Sequence, residues 1–198
     1  MYLFDQIHES WYPAFNLSRK LHDELEKLYE EEYVEPAKEY LFAPFSVPID
    51  SVKCVTLFQD PYPNGEGIGY AVAYNEEFKK PKSFRIIEKE FGSELSPSLQ
   101  EWKDVGVLSA NAAMTVKHGL PNSHREKWIR FTSKWIDYLD KRQEVTFLLF
   151  GRVAQSFNNN IVANRSRLFY APHPATRHHN FIGCGIFKNY EPFQSINL

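Results

Sequence analysis

Four short apolar runs set the architecture: KCVTLFQ (53–59), GVLSAN (106–111), VTFLLF (145–150) and RLFYA (167–171). Each has the length of a strand, and segments of helical period separate them. A strand that is apolar at every position needs cover on both faces, and helices between successive strands supply it. The pattern predicts an α/β fold: a single domain over 1–198, a three-layer αβα arrangement around a central four-stranded, mainly parallel sheet. Ser18 is expected to cap a helix running to about Glu32, with Leu21, Leu25 and Leu28 on one face. Ser83 is expected to cap a helix through FRIIEKEF, and Pro97 to take the first position of the next. The segment 126–141 reads as a long helix with Trp128, Phe131, Trp135 and either Tyr138 or Leu139 on its core side. A short helix is expected after Gly151 and a final one after the His-rich loop.

Composition narrows the setting. At 43% hydrophobic residues the chain can bury a sizeable core. Cys54 and Cys184 stand alone in apolar or glycine-flanked contexts, which suits a reducing intracellular compartment rather than a disulfide framework. MYLFDQIHESW lacks the basic start of a signal peptide, and no apolar run reaches membrane-span length, so no membrane partner is expected. The net charge of −2 is unevenly spread. Residues 1–50 hold four Lys/Arg against eleven Asp/Glu, a net of −7; the others hold nineteen against fourteen, a net of +5. Most of the acid falls in HDELEKLYEEEYVE, read as a solvated helix face. The remainder can present a modestly basic surface to phosphates.

In sheets of this kind ligands bind beyond the carboxyl ends of the strands. The first run ends at Gln59-Asp60, the second at Asn111, and the fourth leads into Ala171-Pro172-His173-Pro174. Distant segments thus deliver a carboxylate, an amide and an imidazole to one edge. Taken singly, Asp60 also reads as a turn aspartate, Asn111 as a backbone-capping amide, and His173 as a structural histidine. Together they suit cleavage of a bond between a sugar and a nucleobase. A carboxylate favours the cationic sugar and orients water, an imidazole receives charge on the departing base, and an amide reads a base edge.

These residues carry a resemblance. QDPYP followed by HP at this separation, with LFAPFSVPIDSVKCVTLFQDPYP, WKDVGVLSANAAMTV, VTFLLFGRVAQ and RLFYAPHPATRHHNFIGCGIF, is similar to the uracil-DNA glycosylase superfamily, and to its family-1 type in particular. The likeness extends over nearly the whole chain, with viral-type features in the His-Pro loop. It implies a monofunctional hydrolase that removes uracil from single- or double-stranded DNA and leaves an abasic site, without cofactor or metal. Residue by residue, it implies that Asp60 orients water and that His173 hydrogen-bonds uracil O2, aided by the Gln59 and Asp60 main-chain N–H groups. Asn111 would pair with N3–H and O4, and Tyr62 would fill the space of a thymine methyl. Pro63, Ser83, Ala175, Thr176 and Arg177 fall on DNA-contacting positions, with Ser83 gripping a phosphate at a helix N-terminus. A monomer is expected, with a replication or inhibitor protein as a further partner.

Four positions depart from the family pattern: Phe58 where glycine is usual, Val72 in GYAV where an aromatic stacks on the base, Arg177 as the nearest wedge candidate, and Ala175 for a loop serine, with Thr176 beside it. Phe58 either restores a stacking platform lost at Val72 or packs into the core. Lys79, Lys80, Lys82, His124, Arg125, His178 and His179 could add basic contacts, but taken singly each reads as a solvated side chain. Two alternatives follow: a glycosylase of altered base specificity, and a DNA-binding replication-accessory module.

Overall fold

A computed structural model describes residues 3–15, 17–162, 166–176, 180–188 and 190–197. The expected strands are present as β2 (Cys54–Phe58), β3 (Val107–Asn111), β5 (Thr146–Phe150) and β6 (Arg167–Ala171). They form a four-stranded sheet in the order β3-β2-β5-β6, and all three pairings are parallel.

Alternation along the strands builds two cores. Val55, Leu57, Phe147 and Leu149 point to one face, where they meet Trp128, Trp135 and Leu139 of α4 (Arg125–Arg142) and Leu25 of α1 (Arg19–Glu31). Cys54, Phe58, Leu148 and Phe150 point to the other. There they meet Phe84 and Ile87 of α2 (Lys82–Phe91), Trp102 of α3 (Gln100–Asp104) and Phe193 of α6 (Glu191–Gln194). Helices therefore cover both faces of the sheet.

Ser18 caps α1 as expected, its hydroxyl accepting from Leu21 N at 3.2 Å. Two other caps differ from the sequence reading. Pro81, not Ser83, is the N-cap of α2, and Ser83 is the second helical residue, with its hydroxyl turned inward. Pro97 lies ahead of α3, where its carbonyl accepts from Tyr74 N, and the Ser96 hydroxyl takes the Gln100 N–H instead. The short α5 (Gly151–Gln155) follows Gly151 as expected. A small antiparallel sheet of β1 (Val34–Glu35) and β4 (Val116–Lys117) has no counterpart in the sequence reading. Its two-residue strands give no periodicity to read. Among the described residues no helix is long and apolar enough to cross a membrane.

Candidate active site

The sheet register brings the strand ends together. Phe58 pairs with Asn111, and Phe150 with Ala171. Beyond the ladder, Ala113 N donates to the Gln59 carbonyl at 2.9 Å, which holds the ends of β2 and β3 side by side where Asp60 leaves the sheet. The Phe58 ring lies 4.4 Å from Phe150 and 6.2 Å, edge-on, from His173. Carboxylate, amide and imidazole thus occupy one edge. An open cleft of 740 Å³ beside His173 is lined by Gln59, Gly151, Tyr170, Pro172 and Thr176, and Asp60, Tyr62 and Asn111 are not among its lining residues.

Asp60 is fixed by two donors. The Asn122 main-chain N–H donates to Oδ2, and the Gln59 amide to Oδ1 at 3.2 Å. Burial raises the Asp60 pKa above the ordinary carboxylate value, and the two hydrogen bonds oppose that rise. Asn122 sits in the left-handed region at φ 65°, a conformation asparagine tolerates well. The sequence reading missed it because it acts through its backbone. The only signal was an asparagine after Pro121 in a turn-like stretch.

His173 has its tautomer set by its own loop. Ala175 N donates to Nδ1 at 3.1 Å, and Thr176 N to the His173 carbonyl at 3.0 Å. Burial lowers the His173 pKa, so the ring is neutral at neutral pH. With Nδ1 accepting, the proton resides on Nε2, which becomes a donor. Gly151 admits the ring: its φ is 81°, and a Cβ there would lie 2.8 Å from the His173 Cβ.

Asn111 is 4% exposed, and its Oδ1 is buried without a hydrogen-bond partner. Such an atom is costly to leave unpaired and suits an incoming donor. Tyr62 donates its phenol proton to the Val72 carbonyl at 3.1 Å and receives the Ser83 hydroxyl at 2.8 Å. Burial raises the Tyr62 pKa, so the phenol stays neutral. Two bonds therefore fix the ring as a wall. Ser83, 6% exposed, is committed to Tyr62. Only the free N–H groups of the first turn of α2 remain for an anion there.

Val72 adopts φ 60°, an outlier for a β-branched residue, and it is clamped by the Tyr62 bond. Phe58 is 1% exposed and stacked flat on Phe150, so its ring belongs to the core and offers no face to a base. Of the two expectations for Phe58, core packing is the one observed. Pro63 is half-buried, and its carbonyl accepts from Gly119 N at 2.7 Å. Ala175 is exposed, and Thr176 is half-buried with its hydroxyl 3.5 Å from Asn180 Oδ1. Arg177, His178 and His179 lie outside the described residues. His124 is buried, bonded to Thr115 at 3.0 Å and Glu32 at 3.3 Å, and is therefore structural rather than a basic contact.

No protein-family model matches the chain. The chain is 38% identical over 165 residues to a uracil-DNA glycosylase of Coxiella burnetii, covering 77% of this chain and 72% of that protein. Its fold is similar to the crystal structure of mimivirus uracil-DNA glycosylase, with a TM-score of 0.78 and 21% identity over 88% of this chain and 71% of that one. It is also similar to the UNG of Nitratifractor salsuginis, with a TM-score of 0.67 and 21% identity over 98% of this chain and 92% of that one. A mimivirus UNG variant solved in complex with UGI gives a TM-score of 0.79 at 22% identity, over 88% of this chain and 73% of that one.

Proposed function

The chain belongs to the uracil-DNA glycosylases, and from that membership we propose that it hydrolyses the N-glycosidic bond of flipped-out deoxyuridine in DNA, releasing uracil and leaving an abasic site. The observation that carries the base assignment is the buried, unpartnered Oδ1 of Asn111. An acceptor held there needs a donor. Uracil presents N3–H at that edge, whereas N3 of cytosine is itself an acceptor, so cytosine would leave two acceptors face to face.

The chemistry follows from the other groups. As the bond between C1′ and N1 lengthens, positive charge grows on the sugar and negative charge on uracil O2. The Asp60 carboxylate stabilises the sugar and orients the water that attacks C1′. The neutral His173 donates Nε2–H toward O2, a stabilisation that strengthens as charge gathers. Tyr62 excludes a C5 methyl by occupying its volume, which disfavours thymine. The flanking strand runs over Pro63, the α2 N-terminus, Ala175 and Thr176. One chain supplies every group the reaction uses, which favours a monomer, and UGI-type inhibitors are candidate partners.

The test is release of free base from single- and double-stranded oligonucleotides carrying uracil, cytosine or thymine. Release from uracil DNA alone is expected, with Asp60→Asn lowering kcat by at least about 100-fold, in the range of general-base contributions. DNA binding without base release by the unmutated protein would instead favour a DNA-binding accessory module. Release of another base would favour altered specificity.

A further inference from the structure

Resting on the reading of this edge as a base-excising site, we propose that Tyr33 and His118 form a platform on which an unpaired base of the substrate strand stacks beside the flipped nucleotide. Tyr33 is 68% exposed, the most exposed large hydrophobic side chain among the described residues. Its ring is nevertheless backed: it stacks on His118 with centroids 4.2 Å apart and planes 13° from parallel. The imidazole is held by the buried Glu35 carboxylate at 2.8 Å, and His118 N donates to the Tyr33 carbonyl at 2.7 Å. A buried acid thus anchors an imidazole, which backs a tyrosine whose outer face meets solvent. An isolated surface tyrosine needs none of this support.

The platform is tied to the catalytic loop. Gly119, next to His118, donates to the Pro63 carbonyl at 2.7 Å, and Asn122 donates to Asp60. Asn122 is four residues on from His118 in the chain, so their backbones lie within about 14 Å. That reach corresponds to about four stacked nucleotides at ~3.4 Å each. Gly65, two residues past Pro63, approaches the anchoring acid: a Cβ there would lie 3.6 Å from Glu35 Oε1. Lys117, next to His118, is half exposed and pairs with Glu32 at 3.9 Å, so the platform offers stacking rather than free charge. Stacking on exposed aromatic rings holds bases of single strands without sequence preference.

In duplex DNA the neighbouring bases are paired and cannot reach the ring, so the platform acts on single strands. Tyr33→Ala is expected to raise KM for single-stranded uracil DNA about tenfold, the loss of one stacked base, with the duplex KM within about twofold of the unmutated value. Tyr33→Phe, which keeps the stacking ring, should match the unmutated protein. Abasic spacers on the platform side of uracil should raise KM for the unmutated protein and erase its difference from Tyr33→Ala. A second readout is independent of catalysis. All four native tryptophans are buried, so a Tyr33→Trp variant reports from the platform, and oligothymidine should quench it. Equal KM values on single strands, an equal loss on single strands and duplex, or no quenching would each overturn the platform. Absence of base release by the unmutated protein would instead overturn the base-excising reading, while the quenching experiment still reads the platform.

Discussion

Burial disfavours the charged form of both Asp60 and His173. Burial raises the Asp60 pKa above 3.8 and lowers that of His173 below 6.5. Between 3.8 and its raised value, Asp60 binds more protons in the folded state than in the unfolded one. Stability therefore falls as pH rises through that window, and at neutral pH the ionised group costs stability. For His173 the unfolded state takes up the proton first, so stability falls as pH drops below 6.5. Asp60→Asn should accordingly raise Tm while removing activity, by about 2–4 °C for each kcal/mol relieved. Scanning calorimetry at pH 7 checks this, and a lowered Tm would contradict it. The residual activity of that variant should keep a single acid limb from His173, with a midpoint below 6.5. At this scale the sequence displayed the candidate side chains, because Asp60, Asn111 and His173 stand at or just beyond strand ends. Asn122 was hidden because any residue carries an N–H. Phe58 was ambiguous because strand position alone does not tell a pocket wall from the layer beneath it.

The strands were legible as elements because each is a continuous apolar run, and the two-sided core follows from their alternation. Caps were less legible: Pro81 and Ser83 compete for the start of α2, and the bond to Tyr62 decides the role of Ser83. The turn from β5 into α5 shows how an element positions chemistry. Gly151 combines φ 81° with a close approach to His173 that leaves no room for a Cβ. Gly151→Ala should cost about 1–3 kcal/mol from backbone strain alone. It should also displace the imidazole, so kcat falls even at temperatures where the variant is fully folded. Chemical denaturation combined with kcat measured well below Tm separates the two effects. A loss of stability with kcat unchanged would show that the His-Pro loop relocates without consequence.

For the molecule as a whole, charge is segregated. Five of the eleven acids of the first fifty residues lie on α1, where Lys20–Glu24 and Lys27–Glu31 pair at 3.8 and 3.5 Å on the exposed face. The net positive remainder includes every segment that forms the candidate site. Binding to single strands should therefore weaken with salt, log K falling by about 0.7 per phosphate contacted for each decade of salt. A salt-independent KM would argue against a phosphate-tracking surface. The proposal that Asp60, Asn111 and His173 act on one base is tested most directly by a crystal structure of Asp60→Asn bound to uracil-containing DNA. The account predicts an extrahelical uracil with O2 on His173 Nε2, N3–H on Asn111 Oδ1, and its C5 edge against Tyr62. A uracil left in the stack, or seated away from those three side chains, would contradict it.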